Sequence, residues 1–335
     1  MIAAGIDPGT SSYEIVAIEG EKVVYTSTLP TKEVRESPNK LIDEIAKSGA
    51  EIIAGLSGYG LPIKKFSELD DVDIFLMTLN LEKEASIGLR KLVEIAKSEN
   101  LNVYTVPGII HLPTVPTWRK MNKIDIGTAD KLCSVVLAAY ELSKEVALHD
   151  LNFILAEVGY GFNAFIAVKE GMIVDGVGGT SGFPGYSSLG SMDSELAYLI
   201  GSFPKKLIFS GGVKNFARDW NMKEKEFEIL AEFVLKGLRV VETSVDKAEF
   251  CILSGKFARS IKKYISEHYQ TRILRGFGKG KQSAQGAAII ANGIAGGEFK
   301  GIVEHLKIFE AEGTVLDYIT SDIVNYLKEG LKRIS

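Results

Sequence analysis

Ile2-Ala3-Ala4-Gly5-Ile6-Asp7-Pro8-Gly9-Thr10-Ser11-Ser12 is the stretch that decides the fold, and Tyr13-Glu14-Ile15-Val16-Ala17-Ile18 follows it at once. The small apolar residues predict a buried strand. Asp7-Pro8-Gly9 predicts a tight turn, because proline presets φ and glycine accepts unusual backbone angles. A second strand comes next, so a hairpin is predicted. The phosphate loops of nucleoside triphosphatases and dinucleotide-binding proteins instead lead from a strand into a helix.

The turn of this hairpin has the composition of a phosphate-binding site. Its backbone N–H groups and hydroxyls would converge on one point, which suits phosphate oxygens, and they come from Gly9, Thr10, Ser11 and Ser12. Asp7 would repel a phosphate, so its natural partner there is a hydrated Mg²⁺. An ordinary turn is the alternative for a single Asp-Pro-Gly. A second hairpin of the same kind would favour phosphate binding.

The same pattern returns in the second half of the chain. Residues 152–158 predict a buried strand that contains Glu157, and a glycine turn with Gly159 and Gly161 follows. Residues 162–168 and 171–175 predict the next two strands, just as residues 22–29 predict a third strand after the first hairpin. Each half therefore begins with a strand, an acid-plus-glycine turn and two further strands, which predicts a duplicated α/β fold.

The remaining segments alternate between helical and strand patterns. Helices are predicted from Pro38 to residue 46 and at 84–98, 128–149, 224–245 and 258–268, with an alanine-rich helix from Gln282. Strands are predicted at 51–56, 72–79, 101–106, 207–212, 250–254 and 271–274. Prolines interrupt the chain at 107–120, which places a boundary between domains 1–106 and 107–335. The Gly- and Ser-rich residues 176–191 predict a substrate-facing loop.

Composition limits the classes of function. A chain of 335 residues favours two domains, and the net charge of −4 gives no support to nucleic-acid binding. Cys133 and Cys251 lie in apolar runs, which predicts buried thiols and neither a disulfide framework nor a zinc site. With no targeting pattern and no run long enough to cross a bilayer, the expectation is a cytoplasmic protein that acts on a small molecule.

The duplicated order of strands and helices, with one acid-glycine hairpin in each half, resembles the superfamily of acetate and sugar kinases, heat-shock chaperone ATPases and actin. The resemblance implies an α/β fold of two ribonuclease H-like domains, each of order βββαβαβα. It also implies an interdomain cleft in which the two hairpins grip the phosphates of ATP from both sides. The cofactors implied are ATP and Mg²⁺.

Two segments carry a closer resemblance. Residues 157–163 followed by 169–175 look like the second phosphate hairpin of acetate and butyrate kinases. Leu253-Ser254-Gly255-Lys256, followed by Gln285-Gly286-Ala287, is similar to the adenosine region of butyrate kinases, so the chain resembles an archaeal family of predicted butyrate kinases. The chain departs from acyl kinases in having no arginine between Arg119 and Arg218, Glu157 in place of a histidine, and Asp7 in place of an asparagine.

The resemblance assigns roles to residues of both hairpins. Asp7 and Glu157 would hold Mg²⁺ through water, opposite the donors of the first turn. The second phosphate-binding turn would comprise Gly159, Tyr160, Gly161 and Asn163. Adenosine would lie against Ser254, Gly255 and Lys256, with Gly211 and Gly212 as the competing site. Plain turns are the alternative for each group.

Charged residues near the domain boundary are candidates for catalysis. A hydroxyl acceptor would need a carboxylate as general base, for which the candidates are Asp125, Asp130 and Asp193. A carboxylate acceptor is already a nucleophile and needs positioning and charge neutralisation, for which the candidates are Arg119, Lys123 and Lys131. Capping of the following helix is an equal alternative for Asp130.

These observations predict a kinase that transfers the γ-phosphoryl group of ATP to a small acceptor such as butyrate or another short-chain carboxylate. A non-kinase ATPase or a regulatory ATP-binding protein on the same fold is the main alternative. A fold relative that has lost nucleotide binding and acts as an assembly partner is a third. A homodimer is an option for any of them.

Overall fold

The computed structural model describes residues 1–9, 11–81 and 87–332, and it contains two five-stranded mixed sheets with flanking helices. The first sheet has the order β3-β2-β1-β4-β5. Its strands are β1 (Ala3–Pro8), β2 (Ser12–Glu19), β3 (Lys22–Pro30), β4 (Ile52–Gly55) and β5 (Val103–Tyr104). The first three strands are antiparallel, and β4 and β5 continue the sheet in parallel with β1.

The second sheet repeats this arrangement with the order β10-β9-β6-β7-β8. Its strands are β6 (Phe153–Val158), β7 (Asn163–Lys169), β8 (Met172–Val177), β9 (Phe250–Ser254) and β10 (Thr271–Ile273). In both sheets the first strand in sequence lies at the centre. The next two strands lie on one side of it and are antiparallel, and the last two lie on the other side and are parallel to it. The predicted duplicated α/β fold is confirmed.

The two hairpins share their strand register, offset by 150 positions. Ala3 lies opposite Ile18, and Phe153 lies opposite Val168. The ladders end with Pro8 opposite Tyr13 and with Val158 opposite Asn163. Even the irregularity in pairing with the third strand recurs, at positions 17/18 and 167/168. The backbone of Asp7 is therefore matched by that of Glu157.

Helices occupy most of the connections between strands. In chain order they are α1 (Thr31–Glu36), α2 (Asn39–Lys47), α3 (Asp71–Thr78), α4 (Ile87–Ser98), α5 (Ala129–Ser143), α6 (Ser194–Ile200), α7 (Val213–Asp219), α8 (Glu226–Glu242), α9 (Ala258–Ile265), α10 (Gln282–Ile294), α11 (Lys300–His305) and α12 (Ser321–Lys332). Within the described ranges, none of these helices is long and apolar enough to cross a bilayer.

Two predicted strands are wrong. Residues 72–78 lie in α3 and Leu79 is its C-cap, because Asp70 accepts a hydrogen bond from the Asp73 N–H and completes a capping box that starts a helix. Residues 205–209 form a 3₁₀ helix (Lys205–Phe209), and Gly211 makes only an isolated bridge to Ser188. Short apolar runs do not distinguish a strand from a helix by periodicity alone. The start of the predicted helix at 84–98 lies partly outside the described residues.

The chain forms two compact units, and their limits differ from the predicted ranges 1–106 and 107–335. The first unit comprises residues 1–124, 128–140 and 276–335, and the second comprises 125–127 and 141–275. The C-terminal segment belongs to the first unit because α10 packs on β1. A Cβ at Gly5 would lie 1.9 Å from the Ala284 carbonyl oxygen, so helix and strand are in backbone contact.

The core of the second unit packs β6 and β7 against helices. Ile154 and Val158 of β6 and Phe165 of β7 are buried in one cluster with residues of α8 and α9. Burial of such side chains contributes about 1.5–3 kcal/mol each. A Cβ at Gly237 of α8 would lie 2.2 Å from the Phe165 ring, so here the glycine is on the helix and makes room for an aromatic side chain.

Candidate functional site

The acid of the first hairpin is a buried, paired carboxylate. Asp7 lies near the end of β1 and is 3% exposed. Its Oδ2 lies 2.6 Å from the Lys281 ammonium and accepts a hydrogen bond from the Ser283 hydroxyl. Both contacts engage Oδ2, and none is made to Oδ1 by any residue that the structure describes. A buried charge requires such partners, since an unpaired one is strongly destabilising.

The turn after Asp7 is held by its own backbone and by the start of α1. The Gly9 N–H donates to the Asp7 carbonyl at 3.1 Å, and the Thr31 hydroxyl donates to the Gly9 carbonyl at 2.9 Å. A Cβ at Gly9 would lie 2.8 Å from the Ser12 carbonyl oxygen and 3.3 Å from the Lys281 nitrogen. The glycine therefore lets the ammonium approach the backbone of the turn.

The residues predicted to donate hydrogen bonds to phosphate from this turn make different contacts in the structure. Ser11 accepts a hydrogen bond from the Thr31 N–H through its carbonyl at 3.1 Å. The Ser12 hydroxyl donates to Glu14 at 3.1 Å, so its side chain is engaged along the strand. Thr10 lies outside the described residues. The phosphate-binding role predicted for Gly9, Ser11 and Ser12 stays a prediction.

A second carboxylate of the same unit has similar partners. Asp130, in the first turn of α5, accepts a hydrogen bond from the Thr128 hydroxyl and pairs with Lys131. Burial acts to raise the pKa of Asp130, but Lys131, the Thr128 hydroxyl and the charge of Lys281 lower it below its ordinary value. The carboxylate is therefore ionised, and Lys281 acts electrostatically on both acids.

Lys281 and Ser283 were missed by the sequence analysis. They flank Gln282 at the start of α10, and no pattern linked this helix to the first hairpin. The available signal was the glycine-rich stretch 276–280 just before a lysine, which lacks the spacing of a dinucleotide loop.

The other predicted cations of the first unit lie in the segment before α5. Arg119 ends a short 3₁₀ helix (Thr117–Arg119), and Lys123 is exposed. Between them, Lys120 is buried and donates to the Leu112 carbonyl at 2.8 Å and to the Tyr318 hydroxyl at 3.1 Å. Burial lowers the pKa of Lys120. The roles predicted for Arg119 and Lys123 stay predictions.

Asp125 anchors the glycine-rich loop of the second unit. Its carboxylate accepts hydrogen bonds from the Gly127 N–H at 2.9 Å and from the N–H and hydroxyl of Thr180 at 3.0 and 3.1 Å. The Ser181 hydroxyl donates to its carbonyl at 2.5 Å. A Cβ at Gly178 would lie 1.9 Å from Oδ1, so only glycine fits there. This bonding is that of a residue that positions the loop.

Asp193 caps a helix. Its carboxylate accepts hydrogen bonds from the Glu195 and Leu196 N–H groups at 2.9 and 3.2 Å, at the start of α6. Such a cap satisfies backbone donors that have no partner inside the helix. The general-base role predicted for Asp125 and Asp193 stays a prediction, but both carboxylates have structural bonds to give up first.

The acid of the second hairpin is also buried. Glu157, 5% exposed, lies opposite Ala164 of β7 and Ser254 of β9. The turn after it is covered by the glycine-rich loop, because the Gly161 carbonyl accepts a hydrogen bond from the Ser188 N–H at 3.3 Å. A Cβ at Gly185 would lie 2.1 Å from the same carbonyl oxygen. Loop and turn are thus in backbone contact.

Two buried polar atoms beside this loop lack a hydrogen-bond partner in the described structure. Asn163 and Ser188 are both 0% exposed, and the atoms are Oδ1 of Asn163 and Oγ of Ser188. The Asn163 amide nitrogen, by contrast, donates to the Pro184 carbonyl at 3.0 Å. An unsatisfied buried polar group costs about 1–3 kcal/mol, which a water or a ligand group would offset.

The predicted adenosine residues lie beside an exposed tyrosine of the second turn. Tyr160 is 44% exposed, and the Lys256 nitrogen lies 4.8 Å from its ring centroid. Lys214 donates to the Tyr160 hydroxyl at 3.1 Å, a bond that raises the pKa of Lys214. Gly255 has a φ of +90°, and a Cβ there would lie 2.6 Å from the Val158 carbonyl oxygen.

The competing pair, Gly211 and Gly212, lies at the start of α7. The Gly212 N–H donates to the Ser187 carbonyl at 3.1 Å, and a Cβ at Gly212 would lie 2.6 Å from the Gly185 carbonyl oxygen. Gly211 has a φ of +80°, which favours glycine. Close packing therefore requires glycine at 212 and 255, and a positive φ favours it at 211 and 255, so neither candidate is singled out as the adenosine site.

The donor set fits a phosphate-bound Mg²⁺ better than a metal held by protein alone. No group of three or more His, Cys, Asp or Glu side chains is placed to hold a metal among the described residues. Mg²⁺ is usually bound by one or two carboxylates together with water and substrate phosphates. Asp7 would supply one such carboxylate, and its partner in the structure, Lys281, is itself a cation.

Solved structures with a similar fold include acyl kinases. Acetate kinase from Entamoeba histolytica matches with a TM-score of 0.56 and 10% identity over 80% of this chain and 86% of that one. Propionate kinase from Francisella tularensis subsp. tularensis SCHU S4 matches with a TM-score of 0.56 and 12% identity over 84% and 98%. The chain thus has the two-domain ribonuclease H-like fold, as predicted.

The sequence itself gives one family match. Residues 5–321 match the model described as "Protein of unknown function (DUF1464)". No curated protein matches the sequence.

Proposed function

We propose that this chain, which belongs to the family described as "Protein of unknown function (DUF1464)", is an ATP- and Mg²⁺-dependent phosphotransferase of the acetate and sugar kinase superfamily. The observation that carries the proposal is the Asp7 turn. The buried Asp7 carboxylate forms an ion pair with the Lys281 ammonium beside a glycine turn, and the same backbone register recurs at Glu157. The shared fold with acyl kinases supports it.

Each hairpin would act as a phosphate-binding turn. In the first unit, Asp7 would hold Mg²⁺ through water at Oδ1, beside the backbone of Gly9 and Ser11. Bound Mg²⁺ would neutralise charge on the phosphate oxygens. In the second unit, Glu157 lies at the matching position beside the turn at Gly159 and Gly161. Phosphoryl transfer depends almost entirely on such positioning and charge stabilisation.

The bonding of the candidate bases favours a carboxylate acceptor. Asp125 anchors a loop, Asp193 caps a helix, and the pKa of Asp130 is lowered by its partners, which makes it a weak base. An acceptor carboxylate needs no base. Its oxygen would attack the γ-phosphorus, the bond from that phosphorus to the bridging oxygen would break, and ADP would leave as the acyl phosphate forms. A short-chain acid such as butyrate is the proposed acceptor.

One observation favours the alternative, an ATPase or regulatory ATP-binding protein on the same fold. The glycine-rich loop, predicted at residues 176–191, contains no arginine or lysine to hold an acceptor carboxylate. Without such a group the loop would contribute only hydroxyls and backbone N–H groups, and the phosphoryl group would pass to water.

The decisive experiment separates these outcomes. Calorimetry with MgATP comes first, followed by incubation with ATP, Mg²⁺ and a panel of carboxylates, with hydroxylamine present to trap acyl phosphate as hydroxamate. We expect hydroxamate that depends on ATP, Mg²⁺ and the acid, with hexoses and polyols as negative controls. ATP hydrolysis at one rate regardless of acceptor would support the ATPase, and absence of binding at millimolar MgATP would reject both functions.

A further inference from the structure

Lys281 is a cation at the phosphate turn of the first unit. Its Nζ lies 2.6 Å from Asp7 Oδ2 and would lie 3.3 Å from a Cβ at Gly9. Its side chain is 36% exposed, whereas that of Asp7 is 3% exposed. The ammonium therefore extends from the buried acid towards solvent, beside the backbone where phosphate oxygens would bind. An ammonium has three donors, so one ammonium can contact a carboxylate and a phosphate oxygen together.

The position of Lys281 in the helix argues against a purely local role. It is the N-cap residue of α10, yet its side chain makes no capping hydrogen bond. Ser, Thr, Asp and Asn are the preferred N-cap residues, and a cation near a helix N-terminus opposes the helix dipole. Lysine is thus unfavourable for the helix itself, and its charge interacts with Asp7 of the phosphate turn.

We propose that Lys281 is a phosphate-binding residue, an inference that rests on the function proposed above. Its ammonium would remain paired with Asp7 and donate to an oxygen of the terminal phosphates of the nucleotide. It would thereby add positive charge where those phosphates carry most negative charge. Gly9 is required because any side chain there would meet the Ser12 carbonyl and the ammonium.

The test measures the affinity for nucleotides of decreasing phosphate number. Lys281→Gln removes the charge and keeps an amide donor, and Lys279→Gln is the matched control, since Lys279 lies two positions earlier and is exposed. Calorimetry with ATP, ADP, AMP and adenosine, each with Mg²⁺, gives the dissociation constants. We expect Lys281→Gln to weaken ATP at least tenfold and adenosine less than twofold, and Lys279→Gln to match the wild type.

A merely structural role predicts a different pattern. If Lys281 acts only by positioning Asp7, which would hold Mg²⁺, the Lys281→Gln defect in ATP affinity should vanish in EDTA; if it only stabilises the fold, all four ligands should be affected alike or only the melting temperature should fall. Any of these results would overturn the inference. Lys281→Arg keeps the charge should the Gln variant fold poorly. We expect it to hold ATP affinity within about threefold of wild type, and a loss of tenfold or more in this folded variant would contradict the charge role.

Failure of the inference is distinguishable from failure of the function. Wild-type protein that binds no MgATP would reject the proposed phosphotransferase. Wild-type protein that binds MgATP, together with a Lys281→Gln variant of equal affinity, would reject only the role of Lys281.

Discussion

The two acid-glycine hairpins have one backbone and two different surroundings. Asp7 and Glu157 occupy matching register positions, and both are buried. The first turn receives a side-chain cation, Lys281, from the start of a distant helix. The second turn is bonded to the backbone of the glycine-rich loop at Ser188, and Lys214 and Lys256 contact its Tyr160 side chain. A duplicated backbone can therefore be kept while the chemistry at each turn is supplied by unrelated segments.

The sheets behind the hairpins differ in the same way. In the first unit Gly5 allows α10 to approach β1 at backbone distance, while the matching position in the second unit is Leu155, which is fully buried. Phe165 lies on the opposite face of that sheet, because it pairs with Ala156, and on that face glycine is found on the helix as Gly237. Close approach in the first unit is what brings Lys281 and Ser283 to Asp7.

The largest effect is expected when Gly5 is replaced by a large apolar residue, like the one at the matching position of the second sheet. Gly5→Val places a branched side chain where even a Cβ would lie 1.9 Å from the Ala284 carbonyl oxygen. We expect the free energy of unfolding to fall by about 4 kcal/mol, the severe end of overpacking, because backbone cannot yield. Urea denaturation followed by circular dichroism measures it.

Gly301→Ala is the control for this prediction. Gly301 lies in α11 and is exposed, with no atom within 4 Å of a Cβ placed there. Alanine should therefore be neutral or stabilise the helix by about 0.5–1 kcal/mol. A Gly5→Val variant within 1 kcal/mol of wild type would show that α10 and β1 are not in backbone contact.

The second prediction concerns the loss of stability at low pH, which we expect from a buried histidine of the first unit and not from an exposed histidine of the second. His111 of the first unit is 1% exposed, and burial lowers its pKa to about 4. Lys120 lowers it further, while the Gly108 hydrogen bond and Asp317 act to raise it. Between the ordinary value of 6.5 and about 4, the unfolded chain binds a proton that the folded one does not.

This difference in proton binding fixes the direction in which stability changes with pH. The free energy of unfolding should fall as pH falls from about 6.5 to about 4, by about 3 kcal/mol in total from this group. Urea denaturation at pH 7.5 and 4.5 should show that His111→Gln loses much of this pH dependence. His149→Gln is the control, since its side chain is 74% exposed. Equal pH dependence in wild type and His111→Gln would contradict the prediction.

Local pattern was enough to predict the hairpins, because strand alternation and turn residues act over a few positions. It failed at residues 72–79, where an apolar run is helical because Asp70 caps it. It also missed Lys281 and Ser283, since Ser283 contacts Asp7 across 276 positions and only tertiary packing joins them. Asp125 was predicted from its charge, whereas its bonds to Thr180 are visible only in the fold.

The smallest effects are expected when the two hairpin acids, Asp7 and Glu157, are each replaced by the matching amide. Asp7→Asn should weaken MgATP binding about 30-fold, roughly 2 kcal/mol, because it removes a metal-binding charge and the partner that holds Lys281 in place. Glu157→Gln should weaken it about tenfold, since the loop still covers that turn through backbone bonds at Gly161. Both variants should keep most of their stability. Calorimetry with MgATP supplies the dissociation constants.

Repeating the titrations in EDTA sharpens the result. Without Mg²⁺ all three proteins should bind ATP more weakly than wild type binds MgATP, and Asp7→Asn and Glu157→Gln should bind it at least as tightly as wild type does, because the carboxylates then only repel phosphate. A variant that acts simply by loosening the turn would keep its defect in EDTA. Wild-type affinity for MgATP in both variants would remove the basis for treating either hairpin as a phosphate-binding turn.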